Sequence, residues 1–158
     1  MSNILLFKPK AELDARANLD AFIAMCRDKL TVFGVNLDWE SHAWPKVCNF
    51  TVMGAPSRGY SQEQLLSAEI IPFAKAYMRY QQGHNPTKLK NEIKAIRCIE
   101  KALLQVKGKA DITLVDANVM DIAVDVAREA PATAYQSGIA LRKLVEFLND
   151  SGIIPRQI

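Results

Sequence analysis

The sequence lacks the residues that most small metal or catalytic sites require. It has two histidines and three cysteines in 158 residues, and no two cysteines form a CxxC pair. A structural zinc site takes about four Cys or His ligands, and neither His42 nor His84 begins an HExxH motif. The glycine-containing loop at residues 54–59 lacks the Lys-Ser/Thr pair of a phosphate-binding loop. We therefore predict no catalytic residues, no metal and no cofactor.

Long apolar runs are also missing. The apolar run near the first residue is too short for a signal peptide, and no segment approaches the roughly 20 apolar residues of a membrane-spanning helix. The odd number of widely spaced cysteines favours reduced thiols that serve as small apolar side chains. These absences predict a cytoplasmic protein with no membrane partner. The formal net charge of +3 is too small to identify a partner by itself.

Helical periodicity dominates the chain after Ser61. The first helical segment begins at a Ser61–Gln64 capping box and is interrupted by Pro72, which predicts a kink or two abutting helices. Three further segments with apolar residues at helical spacing follow, at residues 87–106, 116–129 and 132–149. Glycines 108 and 152 are stop signals. Four helices with short connections predict a compact bundle over residues 57–158.

Residues 1–56 have a different composition and are predicted to form a small appendage. Residues 11–30 show helical spacing, whereas residues 31–35 and 47–53 are rich in β-branched and aromatic side chains. We expect these two β-rich runs to pair as a hairpin, with all β-structure confined to the appendage. The predicted fold class is therefore mainly α, a four-helix bundle with a helix and β-hairpin appendage.

The helix at residues 87–106 carries an apolar stripe and a basic stripe. The basic stripe consists of Lys90, Lys94, Arg97 and Lys101, at spacings of four, three and four. At about 100° per residue the centres of the stripes lie roughly 140° apart, so the cations are predicted to face away from the core. Such a row can neutralise successive phosphates of a duplex. An ordinary solvated helix face has the same pattern, and Glu100 could pair locally with Arg97 or Lys101.

Other cations extend this predicted positive field. They are Arg79, His84 and Lys88 upstream of the stripe, and Arg142 and Lys143 on the last helix. Because Lys94 and Arg97 both lie off the apolar stripe, we expect that they can be replaced together by alanine without unfolding the helix.

Several runs of residues occur in the order found in one known domain. They are Phe73-Ala-Lys-Ala-Tyr-Met-Arg-Tyr, the basic run from Asn91 to Leu103, Asp111-Ile-Thr-Leu, Pro131-Ala-Thr-Ala-Tyr, and Phe147-Leu-Asn-Asp-Ser-Gly-Ile-Ile-Pro. In this order they resemble the N-terminal core-binding domain of tyrosine recombinases, the phage-integrase family, which is a SAM-like helical bundle. The first 15 residues also resemble the start of integrase-like proteins of mobile elements.

The resemblance implies a domain that grips DNA and has no chemistry of its own. In that family a separate C-terminal domain cleaves DNA with a tyrosine nucleophile and an Arg, Lys and His-x-x-Arg cluster. This sequence contains no His-x-x-Arg, and the catalytic domain would begin near Ile158. We therefore expect either an excised fragment or the product of a truncated gene, which alone neither cleaves nor joins DNA.

The resemblance also implies that the second and fourth helices of the bundle approach the major groove of double-stranded DNA. The residues assigned to the DNA face are Lys88, Lys90, Asn91, Lys94, Arg97, Lys101, Thr133, Gln136 and Arg142. The cations would mostly contact phosphates, Asn91 and Gln136 could read base edges, and copies of the chain could associate on the DNA. The competing interpretations are a helical protein-interaction module without a nucleic-acid role, and a small enzyme.

Overall fold

Five α-helices and one short hairpin form the framework of the described residues, which in this computed structural model are Phe7 and residues 14–29, 37–82 and 88–155. The helices are α1 (Ala15–Asp28), α2 (Ile71–Tyr80), α3 (Lys90–Lys107), α4 (Ala117–Arg128) and α5 (Ala134–Asp150). The strands β1 (Ala43–Trp44) and β2 (Cys48–Asn49) are antiparallel. The prediction of a mainly helical protein with a small hairpin is confirmed. None of the described helices is long and apolar enough to cross a membrane.

The helix ends follow the local chemistry of the sequence. Asp14 and Asp116 cap α1 and α4, because each carboxylate accepts a backbone N–H of the first turn, at 2.8 and 3.0 Å. A cap of this kind contributes about 1 kcal/mol to stability. At the other end of α3, Gly108 adopts a φ of 74°, which lets its N–H reach the Leu104 carbonyl.

The segment between Ser61 and Pro72 forms less helix than its periodicity suggests. The Gln64 side chain accepts the Ser61 N–H at 2.9 Å, as the capping box predicts, but only the 3-10 turn Gln62–Gln64 follows. Pro72 lies in the first turn of α2, where its missing N–H leaves no hydrogen bond unmade. Between the two, Leu65 forms an isolated antiparallel bridge with Thr51. The prediction that β-pairing stays within residues 1–56 is therefore wrong.

The hairpin is more local than the predicted pairing of residues 31–35 with residues 47–53. Ala43 pairs with Asn49, and Trp44 pairs with Cys48, around a three-residue turn. A partner so close in sequence costs little loop-closure entropy. Residues 31–35 lie outside the described residues.

One hydrophobic core contains residues from α1 and the hairpin as well as from the later helices. Phe22 of α1 lies in the same buried cluster as Phe50 and the apolar residues of α2 to α5. Its ring centroid is 4.8 Å from that of Phe147 and 6.0 Å from that of Phe73. This cluster crosses the boundary predicted between residues 56 and 57. The hairpin is thus packed against the helices, close to the start of α3.

Candidate nucleic-acid interface

The basic stripe of α3 faces outward, but its side chains divide between two neighbouring elements. Lys90 and Lys101 are exposed, whereas Lys94 and Arg97 are partly buried. The Nζ of Lys94 donates to Thr133 Oγ1 at 2.7 Å, at the start of α5. Arg97 turns the other way, toward Asn49 at the end of β2 and Thr51 just beyond it. The outer side of α3 that carries the basic stripe, called its ridge below, therefore lies between the hairpin and the α4–α5 connection.

The Arg97 side chain binds backbone carbonyls in and next to the hairpin. Its Nε donates to Thr51 O at 2.8 Å, and its Nη2 donates to Asn49 O and Thr51 Oγ1 at 3.0 and 3.2 Å. Burial lowers the pKa of the Arg97 guanidinium from its ordinary value, as expected for a cation withdrawn from water. The sequence assigns Arg97 to the DNA face beside Lys94, whereas its guanidinium is hydrogen-bonded to Asn49 and Thr51. Helical spacing predicts correctly on which side of α3 Arg97 lies. It does not predict that the segment from Asn49 to Thr51 packs against that side.

Arg79 is also used inside the protein. It donates to two carbonyls at the end of α1, at 2.9 and 3.0 Å, and to Leu37 O, and its guanidinium lies 5.4 Å from the ring centroid of Trp39. These bonds satisfy carbonyls that the end of α1 leaves without helical partners. The prediction that Arg79 extends the outer positive field is wrong. Nearby, the buried Lys75 donates to the Trp39 carbonyl.

Glu100, a possible local partner of Arg97 or Lys101 from the sequence alone, binds a backbone N–H elsewhere. Its side chain points into the protein, the residue is 2% exposed, and Oε2 accepts the Ser67 N–H at 2.5 Å. Lys101 instead lies 3.7 Å from Glu129, and both side chains are more than half exposed. Exposed pairs of this kind contribute little energy. Lys101 is thus partly offset, whereas Lys90 forms no ion pair with any acid in the described part of the chain.

The remaining candidates are divided between the two flanks of α5. Asn91 of α3 lines a shallow groove with Gln136 and Lys143, and the carboxylate-bearing Glu92 lines it as well. Arg142 lies on the other flank, in a groove between α4 and α5. We use "cationic face" for the group on the α3 side: Lys88, Lys90, Asn91, Lys94, Thr133, Gln136 and Lys143. His84, which was also predicted to extend the field, lies outside the described residues.

Sequence reasoning missed one cation beside this face. Lys46 lies in the hairpin turn and lines a groove with Lys88 and Asn49. No periodicity marks a residue in a turn, so only the short turn sequence Pro45-Lys46 could have drawn attention to it.

No family model, no curated protein and no solved structure matches this chain. The function of the face has to be argued from its own chemistry.

The thiols do not add a reactive centre to this surface. Cys26, Cys48 and Cys98 are all free, and burial raises the pKa of Cys98 to about 11 and that of Cys48 to about 12. They therefore stay protonated at neutral pH and are poor nucleophiles and ligands. Across the described ranges no group of three His, Cys, Asp or Glu side chains is placed to hold a metal ion. The chemistry the face offers is ammonium groups for anions, with amide and hydroxyl groups beside them.

Proposed function

We propose that the chain binds double-stranded DNA through the cationic face and grips a recombination site without cleaving it. One observation carries the proposal: the bond from Lys94 to Thr133 joins the cations of α3 to the polar start of α5. Lysines fix a protein on the phosphate backbone, while amides such as that of Gln136 can read base edges. The resemblance to the core-binding domain of tyrosine recombinases supports the same assignment and puts strand cleavage in another domain.

The proposal implies strongly salt-dependent binding. The cationic face carries four lysines, which are Lys88, Lys90, Lys94 and Lys143. With about four phosphates neutralised, the slope of log affinity against log salt is roughly −3.6, and affinity falls by about two decades between 50 and 200 mM salt.

Replacing Lys90 and Lys94 together with alanine is expected to flatten this slope by about 1.8 units, because two phosphate contacts are lost. Both side chains lie on the outer ridge of α3, and alanine favours helix, so the fold should persist. Fluorescence anisotropy of a labelled duplex at several salt concentrations measures the slope.

The matched control removes two exposed lysines elsewhere, Lys29 and Lys109. It has the same net charge as the test variant and is expected to keep the parent slope. Equal flattening in both variants indicates unspecific attraction to net charge, and an unchanged slope in both contradicts DNA binding by this face.

A second candidate function, docking of a protein, is favoured by the groove between α4 and α5. Tyr135 is 77% exposed beside it, and a Cβ added to Gly138 would meet nothing within 4 Å. Arg128 and Arg142 also line the groove, and none of its described lining residues is acidic. Charge complementarity therefore favours a partner segment with an apolar side chain flanked by carboxylates.

The variant Gly138→Leu tests this second function with two opposite effects. Leucine is a better helix former than glycine, so stability is expected to rise by about 0.5–1 kcal/mol, while the new side chain fills the groove. Peptides selected from a displayed library on the parent protein should be acidic and apolar and should lose binding to the variant. If the peptides bind both proteins equally, the groove is not their docking site. Duplex binding by the variant should equal that of the parent.

A further inference from the structure

The hairpin turn holds Lys46 in an unusual conformation. Its φ is 67°, and it is the one non-glycine residue with a positive φ in the described part of the chain. An L-residue pays roughly 1 kcal/mol or more for this conformation, so the surrounding structure must impose it. The residues that do so flank it: Trp44 is 1% exposed and Val47 is 4% exposed. With both anchors in the core, Lys46 is the exposed tip of a fixed turn.

Two sets of hydrogen bonds attach the hairpin to α3, one at the start of the helix and one at Arg97, two turns further on. The Leu89 N–H donates to the Val47 carbonyl at 3.3 Å. Lys46 and Lys88 directly precede the two residues that this hydrogen bond joins. Arg97 holds the other side of the hairpin through the Asn49 carbonyl at 3.0 Å. Lys46 is therefore set in a fixed relation to Lys88 and to the ridge of α3.

The groove between the hairpin and the start of α3 carries positive charge, and none of its described lining residues is acidic. Its lining residues are Trp44, Pro45, Lys46, Val47, Cys48, Asn49 and Lys88. Two of these are lysines and none is acidic, while the Cys48 thiol is neutral because burial raises its pKa to about 12. Two ammonium groups along one groove repel each other, and an anion between or beside them relieves that repulsion.

We infer that the β1–β2 hairpin is a second phosphate-binding element, in which Lys46 and Lys88 contact adjacent phosphates of a nucleic-acid strand. This inference rests on the proposed DNA binding and extends it. The bound surface then runs from the hairpin across α3 to the start of α5. In this arrangement Arg97 is a positioning residue, because it holds the hairpin that carries Lys46 and does not itself touch the phosphate.

The variant Lys46→Gly tests the inference without risk to the fold. Glycine adopts a positive φ more readily than lysine, so the melting temperature should stay the same or rise. The salt slope of duplex binding should flatten by about 0.9, so that the ratio of affinities at 50 and 200 mM salt falls by about 3.5-fold. Lys46→Asn, which removes the same charge with a residue that tolerates this φ, should reproduce the effect.

The control Lys29→Ala removes one exposed charge far from the hairpin in sequence and should leave the slope unchanged. If Lys46→Gly and Lys46→Asn keep the parent slope while the Lys90 and Lys94 double variant flattens it, the hairpin inference is wrong and DNA binding by the cationic face stands. If none of these variants changes the slope, the proposed function is wrong as well.

Discussion

Replacing Arg79 with alanine is expected to lower the free energy of unfolding by about 3 kcal/mol and the melting temperature by roughly 6–12 °C. The change removes the donor for two carbonyls at the end of α1 and for Leu37 O, which then lose their bonds to a charged group. It also removes the contact with the Trp39 ring, which contributes about 1 kcal/mol. Thermal unfolding followed by far-UV circular dichroism measures the loss.

The matched control is Arg128→Ala. The Arg128 side chain is 72% exposed and its nearest acid, Asp125, is 3.8 Å away, so its removal should change stability by no more than about 0.5 kcal/mol. Arg79→Lys should fall between the two, since one ammonium cannot reproduce the planar fork of donors. A parent-like melting temperature for Arg79→Ala would mean that these bonds contribute nothing to folding.

The later helices, α3 to α5, were predictable because their signals are local. α3 was predicted at residues 87–106 and occupies Lys90–Lys107, and α5 was predicted at residues 132–149 and occupies Ala134–Asp150. The apolar periodicity defines the buried side of each helix, and glycines such as Gly108 define the end. Such signals need no knowledge of the rest of the molecule.

The β-pairing was less predictable because it depends on what lies nearby in space. Residues 47–53 have the composition of a strand, but composition does not identify the partner. The described pairing is with residues 43–44 and, at Thr51, with Leu65. Leu65 belongs to a segment whose periodicity is helical, so no local rule predicts its bridge.

The candidate site was predictable only in part, because cationic side chains serve two purposes in this protein. Lys90 is exposed, whereas Arg79 and Arg97 bind backbone carbonyls inside the protein. The sequence predicts on which side of its helix a cationic residue lies. It does not show whether carbonyls without partners lie within reach of that cation. Lys94 and Thr133, 39 residues apart, were both assigned to the DNA face, and the two are hydrogen-bonded.

Replacing Arg97 with alanine is expected to lower the free energy of unfolding by about 2–3 kcal/mol and the melting temperature by roughly 5–10 °C. Three hydrogen bonds to Asn49 and Thr51 are lost, and two partly buried backbone carbonyls lose a charged donor. The expectation from the basic stripe was the opposite, that Arg97 and Lys94 can be removed together without unfolding. Urea unfolding followed by circular dichroism separates the two expectations.

Lys90→Ala is the matched control, since Lys90 belongs to the same stripe but is exposed at the start of α3. It should leave the free energy of unfolding within about 0.5 kcal/mol of the parent and flatten the salt slope of duplex binding by about 0.9. Arg97→Ala should reverse this pattern, with a clear loss of stability and a smaller change in slope that arises only through the loosened hairpin. If Arg97→Ala keeps the parent stability and flattens the slope as much as Lys90→Ala does, Arg97 is a phosphate contact like Lys90 and its bonds to the hairpin are incidental.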